Sequence, residues 1–160
     1  MAMCPGGTGK NDDPTKVWYS ELANTVQNVF TNSPLNEGKK ALVRALAGDY
    51  DKEATRAKLD GLIADNAVFM MSFVKWPFCI KAKQILDATK AEYTVVEVDL
   101  VDDGKALRAE MAGLVGRTSV PAIWIGGDFI GGCNDGPKGG IAKLDESGDL
   151  QTMLQEVGAL

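Results

Sequence analysis

Histidine is missing from all 160 residues. With it go the commonest general base near neutral pH, the commonest metal ligand and every Ser-His or Cys-His dyad. Cysteine is scarce. Cys4, Cys79 and Cys133 are too few and too far apart for a disulfide framework or a zinc-ligand pattern. Such usage fits a reducing compartment: cytosol, plastid stroma or mitochondrial matrix. Charge of one sign never runs together. The net charge is −5, and no Lys/Arg block points to nucleic acid or anionic lipid. No apolar run approaches the length of a membrane span, so no transmembrane segment is expected. The opening MAMCPGGTGKNDDP lacks the apolar stretch of a secretory signal. No carboxylate pair stands apart from the solvated acidic residues. The glycine-rich GGCNDGPKGG (131–140) lacks P-loop spacing and its Lys-Ser/Thr ending.

What is present suits a folded domain with an extension. Apolar residues make up 45% of the chain, enough for a buried core. Residues 1–14, rich in Gly, Asp, Asn and Pro, read as a flexible tail. Residues 15–50 read as an N-terminal helical extension. Trp18, Leu22, Val26, Val29 and Phe30 recur at helical spacing. Ser33 and Pro34 suit the N-cap and first residue of a second helix. Leu42, Val43 and Leu46 give that helix an apolar face, and Gly48 suits its end. A third helix over about 51–65 carries Leu59, Leu62 and Ile63.

From there the period changes. AVFMMSF (67–73) reads as a buried strand, and Pro77 opens a helix with Cys79, Ala82, Ile85 and Leu86 on its apolar face. EYTVVEVDL (92–100) reads as a second strand. DDGKALRAEMAGLVG (102–116) reads as a helix stopping near Gly113 or Gly116. AIWIGG and DFIGG form a hairpin through Gly126, Gly127 and Asp128. A short helix and a last helix follow. This order over 51–160 predicts an α/β domain, a small mixed sheet with helices on both faces.

Four collinear motifs then stand out: WPFCIKAK (76–83), GRTSVPAIWIGG (116–127), IGGCND (130–135) and the closing LDESGDLQTMLQEVGAL (144–160). Together they resemble the glutaredoxin family, in a style similar to glutaredoxins of algae. The resemblance covers about 51–160 and leaves the first 50 residues without a counterpart. It implies a thioredoxin-like fold, a mixed four-stranded sheet flanked by helices, with Pro121 in the cis form. In the family the first motif reads C-P-[YF]-C. Here Trp76 stands at the first Cys and Cys79 at the second.

That substitution removes the chemistry. A dithiol site sets its first thiol at a helix N-terminus, where the dipole and unpaired N–H groups favour the thiolate. The second thiol, one turn on, closes the disulfide. Indole offers no thiol, so no dithiol mechanism runs through this motif. The iron–sulfur variant of the family loses its thiolate ligand for the same reason, and no metal site is expected. Cys79 reads most simply as a small core residue, Cys133 as a buried loop residue and Cys4 as an incidental free thiol.

The resemblance also implies a glutathione groove. The family has Lys at the position of Phe73, and a polar residue near Arg117, to hold a carboxylate of the tripeptide. Val120 lends backbone groups to the cysteinyl part, and Gly132, Cys133, Asn134 and Asp135 meet the γ-glutamyl end. Arg117, Val120, Pro121 and the 132–135 loop keep this pattern in kind, with Asn134 for the family's Asp. Phe73 and Trp76 do not keep it. Weak or absent glutathione binding is therefore expected, and no resident cofactor.

Phe73, Val74, Trp76 and Phe78 make the lip of the old site apolar and aromatic. Two readings of Trp76 stand side by side: an anchor for a protein partner, or a plug folded into the empty groove. Trp18 has two readings as well, packing on the domain or docking into a larger assembly. The reading drawn is a redox-inactive binding subunit of a larger assembly, contacting its partner through Phe73, Trp76, Phe78 and Trp18. The setting is the chloroplast stroma or the stromal side of the thylakoid, with a photosynthetic membrane complex as host and the cytosol as alternative. The alternatives are an oxidoreductase using the single thiol of Cys79 or Cys133, and a glutathione-binding module without chemistry.

Overall fold

The computed structural model describes residues 35–160. The tail over 1–14, the Trp18–Phe30 stripe and the Ser33–Pro34 turn lie outside the described residues. Two helices come first, α1 (Leu35–Ala47) and α2 (Lys52–Asp65). Then follow β1 (Val68–Ser72), α3 (Pro77–Thr89), β2 (Thr94–Glu97), α4 (Gly104–Val115), β3 (Ala122–Ile125) and β4 (Asp128–Gly131). Two short helices close the chain, α5 (Ile141–Ser147) and α6 (Asp149–Glu156).

The strands form one mixed sheet in the order β2-β1-β3-β4. β1 runs parallel to β2, with Phe69 opposite Thr94, and antiparallel to β3, with Phe69 opposite Trp124. β1 is central and buried at every residue, which is why it reads as an unbroken apolar run rather than an alternation. Phe69, Trp124 and Phe129 stack across β1, β3 and β4, with ring centroids 5.5 and 5.1 Å apart. The core continues through Leu59 of α2, Leu86 of α3, Leu107 and Met111 of α4, Ile141 of α5 and Leu150 and Leu154 of α6, all fully buried.

Local chemistry sets the element ends. The Asp51 carboxylate accepts from the Ala54 N–H at 2.9 Å and caps α2. Gly116 ends α4 in the left-handed region. Gly104 lets α4 start against the end of β2, since a Cβ there would stand 1.9 Å from the Val98 carbonyl oxygen.

Two expectations need correction. The EYTVVEVDL run is a strand only over Thr94–Glu97, because the Leu100 and Val101 N–H groups fold back onto the Glu97 carbonyl at 2.9 and 3.2 Å. The apolar face of α1 is also misassigned. Val43 is buried, but Leu42 and Leu46 are exposed. The helix meets the rest of the protein along its Asn36–Val43 side, where Asn36 Nδ2 donates to the Gly116 carbonyl at 2.6 Å. The leucines lie roughly a quarter turn away from that side.

Candidate functional site

Between the end of β1 and the start of α3, residues 73–76 form a short crossing. Trp76 is the N-cap of α3, extended and with no capping side-chain hydrogen bond, and Pro77 follows as the first helical residue. A thiol here would feel the helix N-terminus directly. The indole instead tilts against the Phe78 ring, centroids 5.6 Å apart, with 40% of Trp76 exposed.

Phe78 is buried against Cys133 and Ala142. This corrects its assignment to the exposed lip, since the first turn of α3 points it inward. Cys79 is fully buried, and the Phe73 N–H donates to its Sγ at 3.4 Å. Burial pushes the Cys79 thiol up from its ordinary 9.0 to about 11, against weaker opposite pulls from the Phe73 amide, Ser72 and Lys83. At neutral pH it is a protonated core thiol.

The opposite wall is built by the loops around 116–121 and 131–135. The Val120–Pro121 peptide is cis, as the resemblance implies, and both residues are buried. Arg117 is 3% exposed, and its Nη2 donates to Ser119 Oγ at 2.9 Å and to Asp135 Oδ1 at 3.1 Å. Its guanidinium lies 5.8 Å from the centre of the Phe129 ring. Gly132 sits inside this knot. A Cβ there would come within 2.7 Å of Asp135 Oδ1, 2.9 Å of Arg117 Nη2 and 3.0 Å of the Pro121 carbonyl oxygen.

Backbone bonds tie the knot to α5. The Ile141 N–H donates to the Gly132 carbonyl at 3.0 Å and the Ala142 N–H to the Cys133 carbonyl at 2.9 Å. Asn134 is half-buried beside them. The fold therefore brings together Arg117, Pro121, Gly132, Cys133 and Asp135, as expected. It answers the Arg117 charge from within, through Asp135. A cavity of about 380 Å³ lies alongside, between Val115, Arg117, Phe129 and Pro137.

Sequence reasoning missed three members of the site. Val74, Leu100 and Val101 are exposed, Leu100 to 71%. The Val98 N–H donates to the Ser72 carbonyl at 2.9 Å and the Val74 N–H to the Asp99 carboxylate at 3.2 Å. These bonds lay the 99–101 turn beside the 73–76 crossing. The lip is thus Val74, Trp76, Leu100 and Val101, with Phe73 half-buried behind it. An apolar Leu-Val pair between Asp99 and Asp102 was a usable signal, hidden because the run was read as strand. Arg108, the further residue missed, holds its guanidinium 5.1 Å from the centre of the Phe73 ring while its Nε donates to the Thr118 carbonyl at 2.7 Å. Burial lowers its pKa from the ordinary value. No local period links residues so far apart in the chain. Among the described residues no group of three or more His, Cys, Asp or Glu is placed to hold a metal, and no helix is long and apolar enough to cross a membrane.

Known proteins share this geometry. The family model for glutaredoxin matches residues 67–130. A glutaredoxin of Ricinus communis is 35% identical over 103 residues, 64% of this chain and 96% of that one. The chloroplastic glutaredoxin-C4 of Oryza sativa subsp. japonica is 33% identical, again over 64% of this chain and 74% of its own length. Among solved structures, the buckwheat glutaredoxin–glutathione complex superimposes with a TM-score of 0.63 at 29% identity, covering 68% of this chain and 94% of that one. With its sheet, its cis-Pro loop and its helix start all in family register, this chain belongs to the glutaredoxin family.

Proposed function

We propose that this protein is a glutaredoxin-fold binding subunit that has lost thiol–disulfide exchange and meets a protein partner through the lip around Trp76. The observation that carries this is the exposed indole at the α3 N-cap, in the place where the family chemistry needs a thiolate. The remaining thiols do not replace it. With a pKa near 11, roughly one Cys79 in ten thousand is thiolate at pH 7, and it is buried. Cys133 is buried too.

Trp76 leans on Phe78 without being covered, which favours the anchor over the plug. Exposed Val74, Leu100 and Val101 widen the apolar contact area around it. The setting proposed is a reducing compartment, the chloroplast stroma or the stromal side of the thylakoid, as a peripheral subunit of a larger complex. The chloroplastic rice relative supports the plastid. No resident cofactor is part of this reading.

The test has two arms. In a glutathione–disulfide exchange assay the protein is expected to give no turnover, and turnover abolished by Cys79→Ser or Cys133→Ser would instead establish a single-thiol enzyme. In a gentle extract of its source cells it is expected to travel in a particle far larger than 17.0 kDa. Migration at its own size would sink the subunit reading.

A second reading, a glutathione-binding module without chemistry, draws on the retained 116–121 and 131–135 wall and on the glutathione complex of the buckwheat relative. Arg108, held over Phe73, would supply the cation that Phe73 itself lacks. Calorimetry decides it: sub-millimolar affinity, lost in Arg108→Ala, supports this reading, and no heat removes it.

A further inference from the structure

Helix α1 carries a second apolar surface that the contact lip does not explain. Leu35, Leu42 and Leu46 are 61%, 59% and 57% exposed. Their spacing of seven and four residues puts them within an arc of about 40° on a helix. They form one continuous stripe, beside but distinct from the side on which Asn36 and Val43 face the domain. The residues immediately before α1 carry the same spacing in reverse. Val29, Leu22 and Trp18 lie seven and four residues apart, counted away from α1.

A helix doubling back on α1 about a turn centred near Asn32 would set Val29 opposite Leu35, Leu22 opposite Leu42 and Trp18 opposite Leu46. The numbers of each pair sum to the same value, which is the condition for antiparallel register. Five residues, FTNSP (30–34), separate Val29 from Leu35, a usual length for a helix–helix hairpin. The two stripes also match in length, about 16 Å each at the helical rise.

From this we infer that the exposed leucine stripe of α1 is the docking surface of the chain's own residues 18–29, closing a helical hairpin on the outside of the domain. Connection through a short turn holds this occupant at millimolar effective concentration, which favours it over a second copy at ordinary protein levels. The assignment does not rest on the partner reading above. It decides between the two roles of Trp18, placing the indole inside the protein and leaving Trp76 as the outward tryptophan.

The experiment uses the full chain with Cys4→Ser, since Cys79 and Cys133 are buried. Leu22→Cys with Leu42→Cys is expected to close an intrachain disulfide on mild oxidation, visible as a faster monomer band without reductant. Asn24→Cys with Leu42→Cys, which puts the first thiol on the far side of the same helical pattern, is expected to close none. Equal crosslinking in both pairs, no crosslinking in the first, or crosslinking only between chains would overturn the assignment, the last pointing to a second copy. Hydrogen exchange on the chain without added cysteines guards against misfolded variants. Amides over 18–29 are expected to be protected at least about tenfold and to lose that protection in Leu42→Asp. Unprotected amides in the unmodified chain would also overturn it.

Discussion

One wall of the site is made by residues 73–79, the other by the loops over 116–121 and 131–135. The first has exchanged a nucleophile for an indole and carries Phe73 where the family has a cation. The second keeps its cis-Pro121, its Gly132 and a buried Arg117–Asp135 pair. The walls differ in what they do for the fold. Trp76 is a surface N-cap residue with one ring contact, so almost any side chain fits there. Gly132 is enclosed by three groups within 3.0 Å, and Arg117 cannot lose Asp135 without stranding a charge. Reactive residues at a helix start can therefore drift while the wall that also holds the fold together stays as it was.

The largest effect should come from putting the thiol back. Trp76→Cys recreates C-P-F-C at the start of α3, and a thiol there is expected to titrate near or below 7.5. That is on the order of a thousandfold more thiolate at pH 7 than Cys79 supplies, and measurable glutathione–disulfide exchange should appear with it. If the variant stays silent while its new thiol titrates low, Phe73 and the retained wall no longer form a working groove, and the second wall has drifted as well.

Next in size are substitutions in the retained wall. Asp135→Ala leaves the buried Arg117 guanidinium without its counter-charge and is expected to cost about 3–5 kcal/mol in urea unfolding. Gly132→Ala is expected to cost about 1–3 kcal/mol, because the added carbon has no room. Unfolding midpoints that barely move would mean this wall is as replaceable as the first. Trp76→Ala inverts the pattern. Fold stability should change by less than about 1 kcal/mol. Partner retention should weaken by about 2 kcal/mol or more, roughly thirtyfold in Kd, read by pull-down titration against the host complex.

Much of the frame was legible because it is written in local chemistry. The strand and helix order follows from the change of hydrophobic period after Asn66, the hairpin from Gly126 and Gly127, and the end of α4 from Gly116. The knot of Arg117, Pro121, Gly132 and Asp135 was reached through motifs, since nothing local pairs residues so far apart. The failures share a cause. Whether Phe78 points in and Leu42 points out depends on which neighbour each helix turn meets, and period alone does not say. Arg108 over Phe73 and Leu100 beside Trp76 are contacts across the sheet end, made by a turn that cut the second strand short.

The smallest effect concerns the one thiol left on the altered wall, and its sign follows from burial. Cys79 ionises near 11 in the folded protein and near 9.0 when unfolding frees it from burial. Between those values the unfolded chain has released a proton that the folded chain still holds. Stability contributed by the neutral buried thiol is thus full below pH 9 and falls as the pH rises from there toward 11, at up to about 1.4 kcal/mol per pH unit. Tyr50 and Tyr93, pushed up to about 12 mainly by burial, add a loss of the same sign that starts higher, above their ordinary 10.0. The window between pH 9 and 10 therefore isolates Cys79. Urea unfolding of the protein and of Cys79→Ala across that window should give curves that converge as the pH rises, because only the parent has this thiol to ionise. Parallel curves would mean that Cys79 is better solvated than its burial implies. The altered wall would then still hold a thiol open to reaction, and the contrast between the two walls would narrow.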